Sequence, residues 1–184
     1  MSEVYVFLAD GFEEIEGLTV VDLLRRADIR VQTVSIMGRK EITGSHHIKV
    51  EADILFEEAD FATAEMLVLP GGLPGTDYLK AHKGLQEQIL AFNSEGRKLA
   101  AICAAPTVFG ALGLLKGMKA TCYPTMEDGL TGAEVVRESA VTDGAITTGR
   151  GMGAAIDFSL RLIEILRDKR TADMTAEKIV YRRN

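Results

Sequence analysis

The chain has 184 residues, of which 47% are hydrophobic and 26% charged, with a net charge of −6. That size suits a single domain, 1–184, with a substantial core, and the acidic balance argues against non-specific binding to nucleic acid or anionic membrane. Two cysteines and three histidines form neither a disulfide framework nor a zinc-ligand pattern, so no metal is expected and a reducing compartment is the default.

Met1-Ser2-Glu3 lacks the basic region of a signal peptide, and the apolar run Val4 to Ala9 is too short to span a membrane, so a cytoplasmic location is expected. That run reads as a strand buried on both faces. Asp10-Gly11 ends it, and a helix should begin around Phe12-Glu13-Glu14-Ile15-Glu16, with Val20, Leu23, Leu24 and Ala27 on its inner face. The carboxylates of its first turn suit the helix dipole, and as solvated dipole partners they need no other role. Arg30 to Ile36 contains a second strand. Between Glu41 and Phe56, short apolar stretches punctuated by Gly44 and Asp53 predict brief strands or a hairpin. His46 and His47 fall there; on an extended stretch they would point to opposite faces, which favours a surface role.

Met66 to Leu69 predicts the next strand, followed by Pro70-Gly71-Gly72, whose glycines allow close backbone approach and free N–H groups for an anion. Leu85, Ile89 and Phe92 mark an amphipathic helix that stops near Gly96. The stretch Lys98 to Thr107 then reads as a buried strand, Leu99 to Ile102, a sharp turn at Cys103, and a helix starting at Pro106. A thiol at a helix N-terminus should have raised acidity and become a nucleophile. The plainer alternative is an inert, packed cysteine.

Lys119 to Tyr123 predicts another strand, with Cys122 packed on it. Ala145 to Thr148 is a late strand closed by Gly149-Arg150-Gly151-Met152-Gly153. Ala154 to Leu166 is helical and apolar around so much of its circumference that it must be buried on more than one side. Thr171 to Tyr181 predicts a final helix. Alternating strands and helices imply a mostly parallel sheet with helices on both faces. Ligands bind such sheets at the carboxyl ends of the strands. The Glu13–Glu16 cluster, Pro70-Gly71-Gly72, Cys103-Ala104-Ala105 and Gly149-Arg150-Gly151 should therefore share one edge.

Glu13-Glu14-Ile15-Glu16, Leu69-Pro70-Gly71-Gly72, Ala101-Ile102-Cys103-Ala104-Ala105-Pro106 and Thr148-Gly149-Arg150-Gly151-Met152-Gly153 together resemble the ThiJ/PfpI superfamily, in the branch of YajL and the parkinsonism-associated deglycase. The resemblance covers essentially the whole chain. It implies a flavodoxin-like three-layer α/β sandwich of the class I glutamine amidotransferase-like type, usually a homodimer with the site near its interface. It implies Cys103 as nucleophile on a strained elbow and Glu16 as its hydrogen-bonding carboxyl. Oxyanion and substrate contacts would come from Gly72 and Ala104, with Gly71, His46 and Arg150 beside them. The implied activity is cofactor-independent glyoxalase or deglycase action on 2-oxoaldehydes or their early glycation adducts. Oxidative-stress sensing or redox-regulated chaperone action through the same cysteine is the alternative.

The chain departs from the family at three places. Tyr123 stands where the human member has a histidine, so no Cys-His dyad carries over. Ala104 stands where the peptidase branch has histidine, which argues against proteolysis. His46 aligns with an arginine that the family's partner subunit contributes. No phosphate-cradling Ser/Thr-rich loop follows Ala9, which weighs against flavin.

Overall fold

The structure is a computed structural model that describes residues 3–182. In chain order its elements are β1 (Glu3–Leu8), α1 (Glu14–Arg26), β2 (Arg30–Ser35), β3 (Glu41–Thr43), β4 (Lys49–Glu51), β5 (Ile54–Leu55), β6 (Ala64–Leu69), α2 (Gly75–Ala81) and α3 (Lys83–Ser94). Then follow β7 (Lys98–Ile102), α4 (Pro106–Ala111), β8 (Lys119–Ala120), β9 (Glu134–Val135), β10 (Ala140–Asp143), β11 (Ile146–Gly149), α5 (Ala155–Leu166) and α6 (Lys169–Lys178).

Seven strands form the central sheet in the order β10-β11-β7-β6-β1-β2-β5. All its pairings are parallel except β10 with β11. The unbroken apolar runs follow from covering both faces. Val4, Val6, Leu8, Met66, Val68, Ala100 and Ile102 point into one core beneath α1, α5 and α6. Their alternates Tyr5, Phe7, Leu67, Leu69, Leu99 and Ala101 point into the other, with Leu85, Ile89 and Phe92 of α3 and Val108 and Phe109 of α4. This is the flavodoxin-like α/β sandwich. Strand order reverses at β1, since the chain first builds outward through β2 and β5 and then returns to add β6 and β7 on the other side. Sheets of this kind place ligands at such a switch, beyond the strands' carboxyl ends.

Helix α5 packs on α1, α6 and the sheet, which explains its wide apolar surface. Three expectations need correction. The final helix starts two residues early, because the Asp168 carboxylate accepts from Thr171 N at 2.7 Å and caps it. It ends at Lys178, and Val180 adopts a positive φ of 57°. Of the strand expected over Lys119 to Tyr123, only Lys119–Ala120 pairs, with β9 and outside the main sheet. Thr121 N donates to the Thr148 hydroxyl at 2.9 Å instead of entering a ladder. Edge strand β10 was not expected. It is joined to β11 by a two-residue loop whose first residue, Gly144, has φ 55°, so Asp143-Gly144 was its sequence signal.

Candidate active site

Cys103 directly follows β7 and adopts φ 64°, a conformation that L-residues with a side chain avoid. The surrounding backbone over-determines it. Cys103 N donates to Gly149 O at 2.9 Å, Tyr123 N donates to Cys103 O at 2.8 Å, and Ala105 N donates to Ile102 O at 3.1 Å. The chain then enters α4 through Pro106, whose missing N–H costs nothing at a helix start. The bend leaves the Cys103 side chain half-buried against the core beneath α1 and α5.

Glu16 comes from the inner face of α1 and is fully buried. One carboxyl oxygen, Oε2, accepts from Gly71 N at 2.9 Å, and the Cys103 thiol stands against the carboxyl and favours its charged form. Among the described residues, Oε1 has no nitrogen or oxygen partner. Gly71 is where three pieces meet. Its N–H serves Glu16, its carbonyl accepts from Glu13 N at 2.9 Å, and a Cβ there would lie 2.7 Å from both Cys103 Cβ and Glu16 Oε2. Gly72 has φ 90°, and a Cβ on it would lie 2.4 Å from Glu13 N. Only glycines let this turn approach so closely.

Burial raises the Glu16 pKa to about 7, against the lowering effect of Cys103 and the Gly71 amide. Cys103 corrects the expectation of raised acidity. Burial, and then the Glu16 carboxylate, push the thiol well above its ordinary value, while the amides of Ala104 and Gly72 pull it down. The turn amides do act on the sulfur in the expected sense. A six-residue helix end does not outweigh desolvation and an adjacent negative charge.

Of the residues expected at the site, Cys103, Glu16, Gly71, Gly72 and Ala104 are therefore brought together. Gly71 spends its N–H on Glu16, which leaves the amides of Gly72 and Ala104 at the sulfur. Arg150 is not directed to the thiol. Its charge bears on Cys122 and Glu127, and its Nη1 is buried with no partner among the described residues. His46 lies in the turn of the β3–β4 hairpin, so the expected opposition of His46 and His47 on an extended stretch does not arise. The His46 ring is exposed, with Nδ1 3.3 Å from Glu14 Oε2 and 3.6 Å from Glu13 Oε2. Ser45 Oγ bridges this group, 3.0 Å from Glu13 Oε2 and 3.1 Å from Glu14 Oε2. Sequence reasoning passed over Ser45, and no local signal marks it, because the hairpin folds back on α1 across some thirty residues. The ligand atoms of Glu13, Glu14 and His46 lie within 4.8 Å of one another, but hydrogen bonds within the cluster already engage them. Tyr123 is half-exposed, and its ring is the nearest neighbour a Cβ on Gly151 would meet.

A doubly covered, mostly parallel sheet, a cysteine on a strained strand-to-helix elbow at the strands' carboxyl ends, and a buried carboxyl against the thiol define the class of cysteine-elbow α/β proteins. Within that class the chain matches the DJ-1/PfpI family over residues 2–165 and belongs to it. Protein DJ-1 homolog B of Arabidopsis thaliana is 38% identical over 99% of this chain, which spans only 42% of that relative. The structure titled Toxoplasma gondii DJ-1, oxidized, superposes with a TM-score of 0.95 at 32% identity, covering 100% of each chain. A relative from Thermococcus kodakarensis named deglycase TK1284 is 29% identical, covering 90% of this chain and 99% of that one. Among the described residues, no helix is long and apolar enough to cross a membrane.

Proposed function

We propose that the chain is a cofactor-independent glyoxalase acting on 2-oxoaldehydes such as methylglyoxal, with early adducts joining the same path when their C–N bond breaks, the amine leaves with a proton and the thiolate takes up the aldehyde carbon. The observation that carries this reading is the contact of the Cys103 thiol with a buried carboxyl of pKa about 7, with two amides at the sulfur. The relative named deglycase adds support.

When the proton of the pair resides on Glu16, Cys103 is a thiolate held by the Glu16 hydroxyl and the turn amides. Its sulfur attacks the aldehyde carbon, a C–S bond forms, and the carbonyl oxygen takes the proton from Glu16 to give a hemithioacetal. Glu16, as carboxylate, removes the proton from that carbon and returns it to the neighbouring one, turning the hemithioacetal into a thioester. Water cleaves the C–S bond, releasing the hydroxy acid and restoring the thiol. No external oxidant is needed, since the aldehyde carbon is oxidised to the acid level by the two electrons that reduce the ketone carbon to an alcohol. The amides of Gly72 and Ala104 stabilise the oxyanion at addition and at hydrolysis, where each such donor is worth about 2.7 to 4 kcal/mol in enzymes where it has been removed. Lactate should form from methylglyoxal with wild-type protein in the absence of glutathione and metal, and neither Cys103→Ser nor Glu16→Ala should form it. Full turnover by either variant would refute the assignment.

The second reading is a redox sensor. It is favoured by the neutral carboxyl that Glu16 presents up to about pH 7, which can donate a hydrogen bond to a sulfinate formed on Cys103 by peroxide. Rapid sulfinate formation without lactate production would select it. For a homodimer, the support is an apolar groove of about 690 Å³ lined by Ile15, Leu18, Ile48, Ile156 and Ile179 beside Glu14. Sedimentation of Leu18→Glu against wild type tests that assembly.

A further inference from the structure

The rim of the site is more acidic than its chemistry requires. Glu13 is anchored by its own N–H to the carbonyl of Gly71, the residue whose N–H holds Glu16. Its carboxylate is three-quarters or more buried and is held by Ser45 Oγ at 3.0 Å. Glu14 stands beside it, more deeply buried, with Oε1 accepting from His46 N at 2.8 Å. The one cation in this group is His46, and when protonated it compensates one of two carboxylates. The reacting pair carries a further negative charge once it shares a single proton. Nearby permanent cations are directed elsewhere: Arg39 pairs with Asp10 at 2.5 Å, and Arg150 bears on Cys122 and Glu127. The charge that acts on Glu16 from outside the pair is that of Glu13.

We infer that Glu13, backed by Glu14, is a specificity-determining residue that makes the site select by charge, admitting neutral 2-oxoaldehydes and cationic adducts while rejecting substrates that carry a carboxylate beside the carbonyl. The choice of substrate class rests on the glyoxalase reading above. The field at the sulfur does not. A unit charge inside a protein cleft, less screened than in water, changes the local concentration of an ion by roughly tenfold or more.

The test compares alkylation of Cys103 by iodoacetamide and iodoacetate, two reagents of nearly the same shape that each form a C–S bond and release iodide. Cys103→Ser protein supplies the background. The ratio of rate constants, neutral over anionic, should exceed that of a small uncharged thiol by roughly tenfold. It should fall several-fold in Glu13→Gln and be retained in Glu13→Asp. A wild-type ratio equal to the free thiol, or an unchanged ratio in folded Glu13→Gln, overturns the inference. Should that variant fail to fold, Glu14→Gln decides: the ratio must fall in it as well, and an unchanged ratio refutes the inference. In parallel, kcat/KM for methylglyoxal should exceed that for glyoxylate, with the gap narrowed by Glu13→Gln. Absence of turnover on both substrates would remove the glyoxalase reading and leave the alkylation ratio to judge the field.

Discussion

Replacing Glu16 by Gln tests the central physical claim, that a carboxyl is held in a site that resists its ionisation. Glutamine keeps the shape, can still accept from Gly71 N, and cannot ionise. In the wild type, burial lifts the group from 4.5 to about 7. Its pKa is raised on folding, so the stability it contributes is fully present below pH 4.5 and is lost as pH rises through about 7. Between those limits the native state holds a proton that the unfolded chain has released, giving a slope of about −1.4 kcal/mol per pH unit and a total near 3 kcal/mol. The stability of Glu16→Gln relative to wild type should therefore climb by about 3 kcal/mol between pH 4.5 and 7.5, because the other groups titrate alike in both proteins and cancel. Urea unfolding followed by circular dichroism at half-unit pH intervals measures this. Two parallel profiles, with a difference that does not move with pH, would refute the buried-acid description of Glu16.

Gly71→Ala places a methyl 2.7 Å from both Cys103 Cβ and Glu16 Oε2; Cys103 alkylation should slow at least about tenfold and unfolding should come earlier in urea, with a cost of about 1–3 kcal/mol for such overpacking. Phe158→Ala empties a fully buried position of α5 facing Ile102 and the β11 end, and should lose about 3–5 kcal/mol in the same assay while the alkylation ratio of the folded protein persists. Tyr123→Phe should leave lactate formation within about twofold of wild type, since the mechanism takes no proton from that ring; a loss of a hundredfold would add a general acid to the site.

The sheet was legible because strands covered on both faces leave continuous apolar runs, as in Val4 to Ala9 and Leu99 to Ile102. An edge strand has no such run, which is why Ala140-Val141-Thr142-Asp143 was missed and only its glycine turn announced it. Thr121-Cys122 misled in the opposite direction, being fully buried yet outside any ladder. The meeting of Glu16 and Cys103 followed from topology, because β1 and β7 flank β6 and all three end on the same edge. The sign of the thiol shift did not follow. A helix start and a neighbouring glutamate can be read from letters, whereas the desolvation that outweighs them depends on how α1 closes over the elbow.

That desolvation shapes the site more than the helix end does. The Glu16 carboxylate lifts the proton affinity of the Cys103 thiol, while the thiol lowers that of Glu16, so the two groups titrate as a coupled pair. A carboxylate beside a thiol and a thiolate beside a carboxylic acid are two placements of the same proton. The first is favoured by what stabilises the Glu16 carboxylate, namely the Cys103 thiol and the Gly71 amide. The second is favoured by whatever solvates the sulfur, which is the amides of Gly72 and Ala104. The first is the resting placement, because Glu16 releases its proton near pH 7 while the thiol is pushed well above its ordinary value, and the two amides lower the cost of the second without reversing the order. Passing the thiol proton to Glu16 as the sulfur adds supplies the nucleophile, and delivery of that proton to the carbonyl oxygen leaves Glu16 as the base for the relay.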